Sequence, residues 1–177
     1  MERILILGSP GAGKSTLAKE LSARSGLPVV HLDAHYWKPG WVATEPEAWR
    51  RDVEALAAQS RWIIDGNYSG TMDQRLMRAD AVVLLDLPRW RCMYRIVLRR
   101  FLYRRKTRPD MGAGCPEKLD LEFVRWVWRY PQRSRGRTLT KLEALKREKT
   151  IVILRTPRQV ETWLNQTTWA QGGYTGR

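Results

Sequence analysis

The sequence predicts an α/β protein: a three-layer sandwich with helices on both faces of a five-stranded parallel sheet. Three observations support this fold class: five short apolar runs, helix-like segments between them, and turn or acidic residues where the runs end. The predicted strands are residues 4–7, 28–32, 62–64, 81–85 and 151–154. Because strands that alternate with helices form parallel crossover units, their carboxyl ends should meet at one edge of the sheet.

Two capping patterns predict where helices begin. Thr44 is followed three residues later by Glu47, and this capping-box spacing predicts a helix that continues to about Ala58. The same spacing recurs near the end of the chain, where Thr156 precedes Gln159 and a proline lies between them. The last predicted helix therefore follows the fifth strand directly.

A long helix is predicted after the fourth strand, with one apolar stripe lying on the core. The stripe consists of Trp90, Met93, Tyr94, Val97, Leu98 and Phe101, and arginines occupy the other faces. An aromatic-rich helix is predicted over residues 119–130, where Pro131 should end it, and a further helix over residues 138–147.

Length and composition indicate one folded domain. A chain of 177 residues with 43% hydrophobic residues suits a single core. We expect the domain to cover residues 1–168, with residues 169–177 as a frayed, disordered tail. No apolar run reaches the roughly 18 residues that cross a membrane, and the N-terminus lacks the features of a signal peptide. We therefore expect a cytoplasmic protein without a membrane partner, whose two cysteines are free thiols.

The charge is strongly basic, with 32 Lys and Arg residues against 18 acidic ones and a formal net charge of +14. Such a surface attracts polyanions, including nucleic acid and nucleotides. Residues 89–108 contain nine basic residues and no acidic one. They form either a solvated face that covers apolar surface or a mobile lid that closes over a phosphate-bearing ligand. The absence of interleaved acidic partners favours the lid.

The most specific motif is the run Gly8-Ser-Pro-Gly-Ala-Gly-Lys-Ser15, which matches the phosphate-binding pattern G-x-x-x-x-G-K-[ST]. It lies between the first predicted strand and a helix predicted over residues 14–24, which is the context the pattern requires. Its backbone N–H groups and Lys14 would bind the phosphates of ATP, and the Ser15 hydroxyl would bind Mg²⁺. The predicted ATP-binding residues are Gly8, Ser9, Pro10, Gly11, Ala12, Gly13, Lys14, Ser15 and Thr16.

Aspartates at strand ends are candidates for the metal site and for proton transfer. Asp65 ends the third predicted strand, as an aspartate that helps to hold Mg²⁺ does; Asp86 competes for this role, and a turn residue is the alternative for Asp65. Asp33 ends the second strand, where it could accept the proton of a substrate hydroxyl or simply be solvated. Trp37 and Trp41 could stack on a planar substrate or pack in the core.

These motifs, in this order, resemble the group of small kinases that contains adenylate, shikimate and gluconate kinases. The segments "HLDAHYWKPGW", "DGNY" and residues 107–131 are similar to bacterial proteins known as DNA topology modulation proteins of the FlaR type, over about residues 2–165. The resemblance implies a P-loop fold with the sheet order second, third, first, fourth and fifth, and a basic helical lid over about residues 99–137. It also implies lid-side arginines at Arg99, Arg100 and Arg104, with Arg133 and Arg137 opposite.

Two departures from the adenylate kinase pattern bear on the acceptor. Tyr36 and Ser69 stand where adenylate kinases carry arginines, which disfavours AMP. The leading hypothesis is an ATP-dependent kinase that phosphorylates a small acceptor such as a nucleoside, a nucleotide or another metabolite. The alternative is a DNA-associated ATP-binding protein that influences DNA topology, because a charge of +14 gives non-specific binding to nucleic acid.

Overall fold

Five parallel strands form the central sheet of the computed structural model, which describes residues 1–103, 110–116 and 121–168. The strands of the described chain are β1 (Arg3–Gly8), β2 (Val29–His31), β3 (Trp37–Lys38), β4 (Val42–Ala43), β5 (Trp62–Asp65), β6 (Ala81–Leu85) and β7 (Thr150–Leu154). The sheet order is β2-β5-β1-β6-β7, and β3 and β4 form a separate antiparallel hairpin. The predicted fold class and strand order are therefore confirmed.

Helices connect the strands and cover both faces of the sheet. They are α1 (Lys14–Ser25), α2 (Leu32–Tyr36), α3 (Pro46–Ala58), α4 (Met72–Arg78), α5 (Arg89–Leu102), α6 (Leu121–Tyr130), α7 (Gly136–Leu145) and α8 (Pro157–Gln166). A 3₁₀ turn (Ser69–Thr71) precedes α4, and a π-helical turn (Pro131–Arg135) joins α6 to α7. Within the described residues, no helix has the length and apolar character needed to cross a bilayer.

Two apolar cores lie on opposite faces of the sheet because successive side chains of a strand point to opposite sides. On one face, Ile4 and Ile6 pack with Leu17 and Leu21 of α1 and with Leu164 of α8. The other face holds Leu5 and Leu7 of β1 together with residues of α3, α4 and α7, among them Trp49, Val53, Leu76 and Leu142. Burial on both faces explains why the strands are continuous apolar runs.

The predicted core face of α5 is wrong. Cys92 and Ile96 are its fully buried residues, whereas Trp90 is 61% exposed and Phe101 is 73% exposed. The reason is that α5 lies against the loop that follows β1, where a Cβ on Gly11 would come within 2.3 Å of the carbonyl oxygen of Cys92. This close approach places Cys92 and Ile96 against the loop and leaves the aromatic residues Trp90 and Phe101 towards solvent.

The capping box predicted at Thr44 and Glu47 is also wrong, although α3 ends at Ala58 as expected. Glu45 is the N-cap, and its side chain accepts a hydrogen bond from the N–H of Glu47. Thr44 is buried instead, and its hydroxyl donates to the carbonyl oxygen of Tyr36 at 2.7 Å. The proline at the first helical position fixes the helix start one residue later than the pattern suggested.

The α-helix α6 ends at Tyr130, directly before Pro131, as predicted, but the chain does not leave helical geometry there. The chain passes from α6 through the π-helical turn into α7, which begins at Gly136, two residues before the predicted start at Thr138. A proline lacks the N–H that an α-helix needs, and a wider π turn accommodates that loss without a break. Residues 104–109 and 117–120 of the predicted lid lie outside the described residues, and so does the tail at 169–177. The first two residues of the helix predicted at 119–130 fall in the second of these gaps.

The cap predicted at Thr156 is observed, because its hydroxyl oxygen accepts from the N–H of Gln159 at 3.2 Å. We expect Thr156→Ala to lower the free energy of unfolding by about 1 kcal/mol, the usual contribution of an N-cap. Urea denaturation measures this loss. The control is Thr140→Ala on the exposed side of α7, which should change stability by less than about 0.5 kcal/mol. Equal unfolding midpoints for T156A and wild type would contradict the capping role.

Candidate functional site

A cavity of 1440 Å³ lies at the carboxyl ends of the sheet strands. Its walls come from the loop after β1, the start of α1, α2, the β3–β4 hairpin, the segment after β5, α5 and the chain from α6 to α7. Open parallel sheets place their ligands at this edge. The predicted site residues that line this cavity are Pro10, Gly11, Gly13, Lys14, Ser15, Thr16, Asp33, Asp65 and Arg99. The predicted Gly8, Ser9 and Ala12 are not among its lining residues.

The loop between β1 and α1 depends on glycine at three positions. Gly8, Gly11 and Gly13 have φ angles of 146°, 78° and 97°, which side chains rarely tolerate. Gly13 is the N-cap of α1, and no side chain caps this helix end in the described part of the chain. The first N–H groups of α1 are therefore available to an anion, as in phosphate-binding loops.

Lys14 curls back over this loop. Its Nζ donates to the carbonyl oxygens of Gly8 at 3.0 Å and of Ser9 at 3.3 Å. Burial lowers the pKa of Lys14, and the carboxylates of Asp33 and Asp65 oppose that effect. The ammonium group therefore lies against the loop and feels the charge of two acidic side chains that line the same cavity.

Arg95 is a site residue that the sequence interpretation left on an outer face of α5. Its Nη1 donates to the carbonyl oxygen of Ala12 at 3.1 Å, and the side chain lines the cavity together with Arg99. Arg95 and Arg99 lie three and seven residues after the buried Cys92, and residues at these spacings share a helix face. This spacing is the sequence signal that could have placed Arg95 at the site. Arg100 is not among the cavity-lining residues, and Arg104 falls outside the described residues.

The two strand-end aspartates that competed for a metal role have different partners. Asp65 is almost fully buried and lines the cavity, with its Oδ1 2.8 Å from Nδ1 of His31. Burial by itself would lower the pKa of His31, because it disfavours the charged imidazole. The hydrogen bond to Asp65 and the charge of Asp65 outweigh this effect, so the pKa of His31 is raised. Asp86 instead forms a two-pronged ion pair with Arg135 at 2.6 and 2.8 Å.

The ion pair between Asp86 and Arg135 attaches the π-helical turn to the end of β6. Arg133 and Arg137, on either side of Arg135 in the sequence, line the cavity. The described residues contain no group of three or more His, Cys, Asp or Glu side chains that could hold a metal ion by themselves. A divalent cation here would depend on ligand phosphates and water, which is typical of Mg²⁺ with a nucleotide.

Asp33 lies in the short helix α2 and faces the cavity. The hydroxyl of Tyr68 donates to Asp33 Oδ1 at 2.6 Å, a contact that the sequence interpretation missed. Trp37 and Trp41 also line the cavity, and their rings meet edge to face with centroids 5.5 Å apart. Trp41 Nε1 donates to the carbonyl oxygen of Pro116, which ties the hairpin to the segment at 110–116.

Comparisons with known proteins add little to this geometry. No protein-family model matches the chain, and no curated protein matches it. A solved structure that matches is the unliganded sugar kinase from Janibacter sp. HTCC2649, with 19% identity over 93% of each chain and a TM-score of 0.48. A similarity this weak leaves function to be argued from the site itself. The family resemblance of the motifs therefore stays a prediction.

The close approach of the loop to α5 can be measured by a pair of matched substitutions. Gly11 and Gly40 have nearly equal φ angles of 78° and 79°, but a Cβ on Gly40 would meet nothing within 4 Å. Gly40→Ala should cost about 1–2 kcal/mol from backbone strain alone. Gly11→Ala should cost about 1–3 kcal/mol more, because its Cβ overlaps the carbonyl oxygen of Cys92. Equal losses in urea denaturation would show that α5 does not pack on the loop.

Proposed function

We propose that this chain is an ATP-dependent phosphotransferase that moves the γ-phosphoryl group of ATP to a hydroxyl of a small acceptor. One observation carries the proposal: the glycine-rich loop with Lys14 and the carboxylate of Asp33 line the same cavity. A phosphate-binding loop and a candidate base within one cavity are the minimal parts of a kinase site.

In this proposal the loop binds the triphosphate. The backbone N–H groups would come from the cavity-lining residues Gly11, Gly13, Lys14, Ser15 and Thr16. The dipole of α1 would add positive potential. Lys14 would exchange its two carbonyl contacts for phosphate oxygens, which offer a full negative charge. Burial of Lys14 strengthens that attraction, because the surroundings screen it less than water does.

Ser15 and Asp65 are the residues proposed to hold Mg²⁺, since both line the cavity next to Lys14. The donor set fits, because a hydroxyl and a carboxylate are oxygen ligands and the remaining positions suit water and phosphate. When bound, Mg²⁺ would neutralise the charge that builds on the phosphate oxygens during transfer. His31 would orient Asp65 through its hydrogen bond.

Asp33 is the proposed general base. It would accept the proton of the acceptor hydroxyl while that oxygen bonds to the γ-phosphorus and the bond to the β-phosphate oxygen breaks, releasing ADP. Trp37, beside Asp33, offers a flat apolar wall to the acceptor. Lys38, whose side chain is exposed, is not among the cavity-lining residues, so the proposal gives it no role in acceptor binding.

Arginines would complete the charge balance around the transferred group. Arg95 and Arg99 reach the cavity from α5, and Arg133 and Arg137 line it from the π-helical turn and the start of α7. Positive groups around the γ-phosphate would stabilise the dispersed negative charge of the transition state. Arg100 and Arg104 stay proposed lid residues on the resemblance alone.

The DNA-associated alternative depends on net charge, which gives salt-sensitive, non-specific binding and no activity. Four arginines of the basic segments line the cavity, and this position favours a role on a phosphate-bearing substrate. AMP is disfavoured as the acceptor by Tyr36, which packs against the aromatic rings of Trp49 and Tyr68 and adds no positive charge.

An acceptor screen tests the proposal directly. Purified protein is incubated with Mg²⁺, γ-labelled ATP and pools of nucleosides, nucleotides, sugars and small hydroxylated metabolites, and labelled products are separated and identified. The proposal predicts label on one acceptor class, in excess of inorganic phosphate. Protein that binds ATP yet labels no acceptor in any pool would contradict it.

Lys14→Ala removes the charge proposed to contact the β- and γ-phosphates. Transfer should fall by about 10²-fold or more, because this charge lies where negative charge accumulates in the transition state. The fold should survive, since Lys14 is not part of either apolar core. Lys146→Ala is the matched control, because Lys146 forms a surface ion pair with Glu143 and is not among the cavity-lining residues. Full activity in folded K14A would refute the phosphate role of the loop.

Asp33→Asn keeps the shape of the side chain and removes the proposed base. Affinity for ATP should change little, while phosphoryl transfer should fall by about 10²–10⁴-fold, the usual effect of a positioned base. Calorimetric titration with ATP and the initial rate of transfer measure the two quantities separately. Asp52→Asn on the exposed side of α3 is the control. A wild-type transfer rate in D33N would reduce Asp33 to a structural residue.

A further inference from the structure

Arg75 in α4 is a buried arginine that the proposed chemistry does not use. Its side chain is 0% exposed, which is rare for a charged residue. Burial lowers the pKa of Arg75 to about 10, because the charged form loses water. A buried charge persists when its hydrogen-bond donors are satisfied, so the partners of Arg75 indicate what it holds.

Those partners are backbone carbonyl oxygens of one short segment. Nη1 donates to Gly66 at 2.7 Å, and Nη2 donates to Asn67 at 2.5 Å and to Tyr68 at 2.9 Å. Nε donates to Thr71 at 3.4 Å. The planar guanidinium therefore fixes three successive peptide units that follow β5.

The segment held by Arg75 contacts both the loop after β1 and the proposed base. On the phosphate side, the Asn67 amide pairs twice with Gly8: Oδ1 accepts from the Gly8 N–H at 3.1 Å, and Nδ2 donates to the Gly8 carbonyl at 2.8 Å. On the acceptor side, the adjacent Tyr68 donates its hydroxyl to Asp33. Two neighbouring side chains thus fix the loop and the proposed base relative to one another.

Tyr68 needs external support to hold this position. Its φ angle of 34° lies in the left-handed region, which is costly for a residue other than glycine. Its ring packs against those of Tyr36 and Trp49, with centroids 4.8 and 4.9 Å away. Burial and the neighbouring charge of Asp33 raise the pKa of Tyr68, so its hydroxyl keeps its proton and donates. The backbone contact from Arg75 offsets the strain at Tyr68.

We propose that Arg75 is a positioning residue that sets the distance between the phosphate loop and the base through Asn67 and Tyr68. This inference rests on the proposed phosphotransferase function. Asn67 acts on nucleotide binding through Gly8, Tyr68 acts on the transfer step through Asp33, and Arg75 acts on both. A lysine cannot replace Arg75, because a single ammonium nitrogen lacks the planar fork that reaches three carbonyl groups.

The first experiment separates the effect of Asn67 on nucleotide binding from the effect of Tyr68 on the transfer step. Tyr68→Phe removes one hydroxyl and should lower kcat by about 10-fold or more, the value of a hydrogen bond to a charged group, with the Kd of ATP unchanged. Asn67→Ala should instead raise the Kd of ATP by about 10-fold, since two hydrogen bonds to the loop are lost. Tyr94→Phe, at an exposed tyrosine of α5, is the control.

A double-mutant cycle tests whether Tyr68 acts through Asp33. If it does, Tyr68→Phe should lower kcat by less than about 2-fold in the Asp33→Asn background, because the partner of the hydroxyl has lost its charge. A merely structural tyrosine would lower kcat by the same factor in both backgrounds. If Tyr68→Phe lowers kcat by the same factor in both backgrounds, the inference that Tyr68 acts through Asp33 is overturned.

Arg75→Lys should show both defects together, a lower kcat and a weaker affinity for ATP, measured well below its melting temperature. Arg78→Lys, on the exposed side of the same helix, should show neither. If R75K fails to fold, the Tyr68 and Asn67 variants still decide the matter. If Y68F has the kcat of the wild type and N67A has its Kd for ATP, the inference is overturned and the proposed function still stands. If the unmutated protein phosphorylates no acceptor, the proposed function itself is overturned.

Discussion

The close approach of the loop after β1 to its neighbours is the constraint on which the rest of the site depends. A Cβ on Gly8 would lie 2.6 Å from the carbonyl oxygen of Leu85, and one on Gly11 would lie 2.3 Å from that of Cys92. Without these side chains the loop packs against both β6 and α5. That packing turns Arg95 and Arg99 into the cavity and leaves the aromatic face of α5 outside. The face of α5 that carries the buried Cys92 and Ile96 therefore lies against the loop, and the predicted apolar stripe does not.

The sheet could be predicted because its strands are short apolar runs that end at turn or acidic residues. Its three central strands β1, β5 and β6 are buried on both faces, which makes these runs continuous. Local rules failed where tertiary contacts compete with them. The hydroxyl of Thr44 donates a hydrogen bond to the carbonyl oxygen of Tyr36, so Thr44 does not cap α3. Pro131 does end the α-helix α6, but the chain continues through a π-helical turn, which the helix-stop rule does not predict. The stripe on α5 has helical spacing, but periodicity does not reveal what covers it.

Part of the site could be predicted from the sequence for a related reason. Lys14, Asp33 and Asp65 follow strands, and strand ends meet at one edge of a parallel sheet, so their convergence on one cavity follows from topology. Asn67 and Arg75 carry no comparable signal. Their partners are backbone groups, which every residue possesses, and the bonds from Asn67 to Gly8 span 59 positions of the chain. Contacts of this kind become visible only in three dimensions.

The central claim is that one cavity holds the triphosphate of ATP and the base that serves the acceptor. A crystal structure of the wild-type chain with Mg²⁺ and a non-hydrolysable ATP analogue tests it most directly. The account predicts that Lys14 Nζ leaves the carbonyl oxygens of Gly8 and Ser9 for the terminal phosphates, and that the γ-phosphate faces Asp33. An analogue bound away from the loop, or a γ-phosphate that points away from Asp33, would contradict it.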